Sequence, residues 1–354
     1  MHLEQENQAQ QHKRRVRYKG KYPKKFEEKY KELQPEKYQD TVQHVIRKGN
    51  TPAGMHISIM VKEILDFLQI QPGETGFDAT LGYGGHTKAM LECLRGQGHM
   101  YATDVDPIES AKTKKRLADA GFGEDILTIR LQNFCTIDEI AKEAGGFDFV
   151  LADLGVSSMQ IDNPDRGFSF KVDGPLDLRL NPEKGISAAE RLAQIEEDEL
   201  AGMLWENSDE PYAEELAHAI VTERKHGKPI DTTTRLREVI EETLSFLPEK
   251  EKKDTVKKTC QRTFQALRID VNNEFEVLYE FMEKLPDALR PGGRVAILTF
   301  HSGEDKLVKK ALKQGYKEGV YSEIANDVVR PSAEECAQNG RARSTKMRWA
   351  VRAE

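Results

Sequence analysis

The 354-residue chain carries 38% hydrophobic and 32% charged residues and a formal net charge of −7 at pH 7, a balance that suits a globular protein with a polar surface. No run approaches the ~20 apolar residues needed to cross a bilayer, and the first fifty residues stay polar, so no secretory signal and a cytoplasmic location are expected. Cys93, Cys135, Cys260 and Cys336 are too scattered for a zinc site or a disulfide framework.

The net acidity hides segregation. Residues 1–50 hold thirteen Lys or Arg against seven Asp or Glu, and the stretch Arg341, Arg343, Lys346, Arg348, Arg352 contains no acid. Screening limits charge effects to ~8–10 Å, so local patches rather than the total decide whether phosphates are attracted. A solvated charged face explains either patch alone; together they favour an anionic partner. Residues 1–54 lack an apolar period and read as a basic flexible extension.

From Met55 the pattern alternates. Ile57–Leu68 has a helical apolar stripe. Short apolar runs follow at Gly76–Leu81, Met100–Val105, Ile126–Leu131 and Phe147–Leu154, separated by helix-like stretches at Thr87–Leu94, Pro107–Ala120 and Ile137–Ala144. This spacing predicts an α/β, doubly wound, mostly parallel sheet. From about Asp162 to Arg262 the strand signal disappears and helical segments take over at Ile186–Trp205, Tyr212–Lys225 and Thr234–Leu247. It returns at Arg294–Phe300, after a turn at Pro291-Gly292-Gly293. The expected organisation is therefore a sheet domain, 55–161 and 263–354, interrupted by a helical insertion, 162–262.

The first strand ends in Asp78-Ala79-Thr80-Leu81-Gly82-Tyr83-Gly84-Gly85-His86-Thr87. Glycines there allow a tight turn and let a ligand approach the backbone, and the next helix turns its free N–H groups to the same crevice. A plain tight turn would explain that loop alone. Asp104, 22 residues after Gly82, closes the second strand, where a carboxylate can accept hydrogen bonds from both ribose hydroxyls. Asp106 is better placed to cap the following helix. Thr87 stands where a dinucleotide fingerprint wants a small residue, which favours an adenosine cofactor without pyrophosphate over a nicotinamide one. Phe134 and Asp153 lie at the carboxyl ends of the third and fourth strands. Phe134 could pack on adenine or in the core, and a carboxylate ending a buried strand is costly unless it faces the crevice.

These residues carry a resemblance. The chain from about Met55 onward resembles the RsmH/MraW family of ribosomal RNA cytosine-N4 methyltransferases. The resemblance runs through the ordered blocks Asp78–Thr87, Asp153–Asp162, Asp165–Phe170, Asp173–Arg179, Thr263–Ile269 with Val271–Glu274, Phe300–Ser302 and Arg341–Ser344. It implies a Rossmann-like class I methyltransferase fold, S-adenosylmethionine as cofactor, and cofactor contacts at Gly84, Gly85, His86, Asp104, Phe134, Asp153 and Gln160. It also implies that the helical insertion helps to recognise RNA. Expected partners are ribosomal small-subunit RNA or the 30S particle, a homodimer is the self-association to test, and neither a metal nor a membrane is expected. The chain departs from the family pattern at Ser58, Met159, Gly303–Lys306 and Gly340, which leaves a paralogue acting on another RNA position, or a non-catalytic assembly factor, as alternatives.

The exocyclic amine of cytosine is a poor nucleophile because its lone pair is delocalised into the ring. Acceptors that grip its N–H groups restore basicity as the new bond forms. Asp153 and the carbonyls of Leu154–Val156 are candidates for this. Asp177 and His301 are further catalytic candidates, although ion pairing explains Asp177 with Arg179, and a satisfied structural histidine explains His301. The target base must be unstacked or already single-stranded. Lys252–Arg262, Arg268 and Arg341–Arg348 are the expected phosphate track.

Overall fold

The structure, a computed structural model, describes residues 58–354, so the basic extension lies outside the described residues. Seven strands form one sheet: β1 (Thr75–Asp78), β2 (His99–Asp104), β3 (Leu127–Leu131), β4 (Phe147–Asp153), β5 (Leu289–Thr299), β6 (Tyr321–Ile324) and β7 (Lys346–Arg352). Their order is β3-β2-β1-β4-β5-β7-β6. The first five run parallel, and β7 is antiparallel to both β5 and β6. The doubly wound, mostly parallel sheet expected from the alternation is therefore the fold.

Strand alternation builds two cores. Val150 and Ala152 of β4 and Val295 and Ile297 of β5 join one face. Their neighbours Phe149, Leu151, Ala296 and Leu298 join the other. Both faces are covered, so these strands are apolar on both sides. The second face carries α1 (Val61–Leu68), α2 (Gly85–Leu94) and α3 (Pro107–Asp119); the first carries α4 (Ile137–Ala144). Pro291-Gly292-Gly293 does not precede β5 but lies inside it. There the ladder jumps from Phe147↔Leu289 to Phe149↔Arg294, a bulge where a turn was expected.

Between β4 and β5 the chain forms α5 (Ser158–Asp162), α6 (Ala188–Gln194), α7 (Glu197–Ser208), α8 (Ala213–Lys225), α9 (Thr233–Thr243), α10 (Glu249–Asn272) and α11 (Glu274–Ala288). Leu192, Leu200, Leu204, Leu216, Ile220, Leu236, Ile240 and Phe264 give this region its own core. The 24-residue α10 runs unbroken through position 262, where a boundary was expected, and contributes Cys260 and Phe264 to the helical core. α11 instead packs Leu278, Phe281 and Leu285 on the sheet. The rest of the chain adds α12 (Ser302–Lys317) and α13 (Ala333–Gln338) around β6 and β7.

Candidate active site

Strand order reverses between β1 and β4, and a crevice opens outside the carboxyl ends of strands at such a point. It holds a cavity of about 380 Å³ whose walls include Gly82–His86, Asp104, Phe134, Asp153, Gln160 and Arg268, a volume in the range of small-ligand sites. The expected cofactor residues Gly84, Gly85, His86, Asp104, Phe134, Asp153 and Gln160 thus come together. Neither Asp177 nor His301 is among the lining residues.

The glycine turn is dictated by sterics. Gly84 adopts φ +83° as the residue capping α2, and a Cβ on it would stand 2.7 Å from Thr113 Cγ2. A Cβ on Gly85 would meet Ser58 Oγ at 2.0 Å. A side chain at either position would have to displace these neighbours. Asp104 is fixed from both sides. Its Oδ2 accepts from the Gly82 N–H at 2.9 Å and its Oδ1 from the Asp106 N–H at 2.8 Å. Burial raises its carboxyl to about 6, against the pull of those two N–H groups. Asp106 caps α3 by accepting from the N–H groups of Ile108 and Glu109, as its position before Pro107 predicts.

His86 and Asp153 meet at the cavity. His86 Nε2 lies 2.8 Å from the Ile59 carbonyl, and Nδ1 lies 3.4 Å from Asp153 Oδ2. A carbonyl oxygen only accepts, so Nε2 carries a proton. Burial alone would lower the imidazole, but the hydrogen bond and charge of Asp153 outweigh it and raise His86 to about 8. The Asp153 N–H donates to Thr80 Oγ1 at 2.7 Å, while its Oδ1 is buried with no hydrogen-bond partner among the described residues. Asp78 sits beneath the turn, accepting from Thr87 Oγ1 at 2.6 Å, with burial pushing its carboxyl up.

Gln160 lines the cavity with both polar ends engaged. Its Oε1 accepts from the Ser157 N–H at 3.0 Å in a capping box, and its Nε2 donates to Asp106 Oδ2 at 2.9 Å. Arg166 donates to the same Asp106 oxygen at 2.7 Å and to the carbonyls of Arg179 and Leu180. The ion-pair partner of Arg166 thus lies sixty residues away in sequence. Asp177 does pair with Arg179, at 2.7 Å. His301 caps α12, and its Nε2 lies 3.2 Å from Glu304 Oε1. Phe134 lines the cavity and also meets Phe281 edge-on at 5.2 Å, combining the two fates its position allows.

Sequence reasoning missed other wall residues: Asn272, Glu274 and Leu278 of the α10–α11 junction, and Asn339 beside α13. Their distance from the glycine turn in sequence hides them. Glu274, His301 and Glu304 could gather round an ion. Arg268, however, already holds both Glu274 oxygens at 2.8 Å, and an added cation would face that guanidinium. The phosphate track also contracts. Arg341 pairs with Asp162, and Lys346 and Arg348 pair with Asp305. Arg352 donates to the carbonyls of Pro286 and Val320.

Fold and crevice together define a Rossmann-like α/β protein of the class I methyltransferase kind, with its cavity at the switch point. A profile described as the MraW methylase family matches residues 53–353, and the chain belongs to that family. It is 81% identical over 348 residues to "Ribosomal RNA small subunit methyltransferase H 1" of Agathobacter rectalis, covering 98% of this chain and 100% of that protein. It is 70% identical to the protein of the same name from Lachnoclostridium phytofermentans, over 98% of this chain and 95% of that one. At 37% identity it matches "Ribosomal RNA small subunit methyltransferase H" of Thioalkalivibrio sulfidiphilus, over 85% of this chain and 98% of that protein. No helix among the described residues is long and apolar enough to cross a membrane.

Proposed function

We propose that this chain methylates the exocyclic N4 amine of a cytidine in small-subunit ribosomal RNA. Membership of a methylase family and relatives named for ribosomal RNA small-subunit methylation support RNA methylation with S-adenosylmethionine as the methyl donor. The residues present suit that donor. Gly84 and Gly85 line the cavity at a turn too tight for a Cβ, Asp104 would offer lone pairs to a ribose diol, and Phe134 would offer a ring to adenine. When bound, the donor supplies an electrophilic methyl group on a sulfonium; the chain's own residues do the rest.

The observation that carries the amine reading is Asp153. It ends β4 in the same cavity as Asp104 and keeps one buried oxygen without a partner. Its side chain is 27% exposed, so the part of the carboxylate open to the cavity can accept from an amine N–H. Gripping that N–H as the new bond forms makes the nitrogen a better nucleophile. In this reading Gln160 positions Asp106, and the helical region with the lysines of α10 guides RNA to the cavity. Mass-spectrometric mapping of modified nucleosides in ribosomal RNA, from cells with and without the gene, tests it. Loss of one N4-methylcytidine is the expected result, and an unchanged N4-methylcytidine complement would remove the assignment.

A further inference from the structure

We infer that the exposed lysines of α12 form a track for RNA phosphates on the sheet domain, outside the helical region, and hold the RNA chain that flanks the target nucleotide. The inference rests on the RNA reading above and adds a binding surface to it.

Lys306, Lys309, Lys310, Lys313 and Lys317 are all exposed. At about 100° per residue they fall within about 100° of arc, along about 17 Å of the helix axis. The other face is fixed: Val308 and Leu312 are buried in the core beside the sheet, with Leu307 and Ala311 packed against it. The lysines therefore face solvent as one stripe. No acidic residue stands between Lys306 and Lys317. The acids at the start of the helix are turned inward. Glu304 accepts from the Phe300 N–H at 2.8 Å, and Asp305 pairs with Lys346 and Arg348. Glu318, at the far end, accepts from Gln314. None of the five lysines has a hydrogen bond or an ion pair among the described residues. Other helices on the sheet follow a different rule. Lys62, Lys88, Lys112, Lys142 and Lys284, on five of them, each pair with an acid one turn away.

Like charges one turn apart destabilise a helix, so an unneutralised stripe gains when an anion lies along it. A phosphate backbone supplies that charge repeatedly and in a line. Lipid suits the stripe less well, because the apolar residues of α12 are spent on the core. Tyr316, half exposed at the edge of the stripe, instead offers a ring on which an unstacked base can rest. Position supplies the second argument. α12 starts just after β5, where Phe300 and Glu304 stand in the cavity wall, and Lys306 follows two residues after Glu304. An RNA chain whose target nucleotide enters the cavity meets that end of α12 as it leaves.

The test combines Lys309→Gln, Lys310→Gln, Lys313→Gln and Lys317→Gln and leaves Lys306, nearest the cavity, intact. Binding of unmethylated small-subunit ribosomal RNA is followed against salt. Each phosphate contact adds about 0.7–0.9 to the slope of log affinity against log salt, so the slope should flatten by about 3. In methyl transfer, KM for that RNA should rise about tenfold or more. Both kcat and the dissociation constant for S-adenosylmethionine should stay within about twofold. The corresponding Lys→Arg variant keeps the charge and should keep the wild-type slope. The side chains are exposed, so denaturant midpoints of all three proteins should coincide. An unchanged slope in the Lys→Gln variant overturns the track. A fall in kcat or in donor affinity also overturns it, since the effect would then lie in the cavity. Wild-type binding to phosphatidylglycerol vesicles that the Lys→Gln variant loses, with an unchanged RNA slope, would make the stripe a membrane contact instead. The slope is read without turnover, so the two readings fail separately. A methylated product other than N4-methylcytidine removes the amine assignment alone, whereas a wild type without affinity for small-subunit RNA removes the RNA reading and the track together.

Discussion

The sheet's crevice and the helical region between β4 and β5 bury their side chains for different reasons. Around the crevice, Asp78, Asp106, His86, Gln160 and Arg166 are buried polar groups, each held by named partners. The helical region is held by an apolar core of Leu, Ile and Val, with pairs such as Arg191 and Glu199 nearer the surface. One region spends stability to hold charge in place for chemistry; the other accumulates stability by burying hydrocarbon. Arg166 joins them, with one amino group on Asp106 beneath the crevice and the other on the carbonyls of Arg179 and Leu180.

That joint should give the largest effect. Arg166→Ala leaves Asp106 buried with Gln160 as its remaining side-chain donor, and losing one partner of a buried ion pair costs about 3–5 kcal/mol. Denaturant unfolding and donor calorimetry should both record the loss; a fall in stability with unchanged donor affinity would show that the two regions are not coupled there. Leu204→Ala, fully buried in the helical core, should cost about 2–5 kcal/mol. Donor affinity should stay within about twofold, since no cavity residue lies on α7. Asp104→Asn should weaken the donor by about 3 kcal/mol, the scale of hydrogen bonds to a charged group, with little change in the helical core.

Asp104 also sets a pH signature in the cofactor-free protein. Its folded carboxyl stands at about 6, above the ordinary 3.8, so the folded chain holds that proton more tightly than the unfolded one. Its contribution to stability is present at acid pH and is lost as pH rises through about 6. Stability profiles of wild type and Asp104→Asn should therefore diverge between those two values, and parallel profiles would contradict the assignment. The smallest effect is expected at Arg130–Glu143, a half-exposed pair at 2.7 Å. Arg130→Ala should cost about 0.5 kcal/mol or less.

What the sequence makes legible follows from how local the cause is. The parallel strands are readable because both faces are buried and their residues run apolar without a break. The glycine turn and Asp104 are readable because sterics and ribose chemistry act within one β-α-β unit. β7 escapes because Lys346, Arg348 and Arg352 interrupt its apolar pattern. Their partners, Asp305 and the carbonyls of Pro286 and Val320, lie far along the chain, so a paired strand reads as a basic patch. Nor does any local pattern point Arg166 to Asp106, sixty residues away. The wall at Asn272 and Glu274 is hidden inside a helix junction that no local pattern marks as facing the crevice.

β4 and β5 are adjacent in the sheet, yet everything from Leu154 to Ala288 lies between them in sequence. Closing a loop of that length costs little more than closing one half as long, about 0.6 kcal/mol per doubling, but the search for the pairing slows with sequence separation. We expect the helical region to collapse first on its short-range contacts and draw the strand ends together, so that sheet closure waits on helix assembly. Pulsed hydrogen exchange during refolding should show amides of α7 and α8 protected before those of β5, and the reverse order would refute this sequence of events.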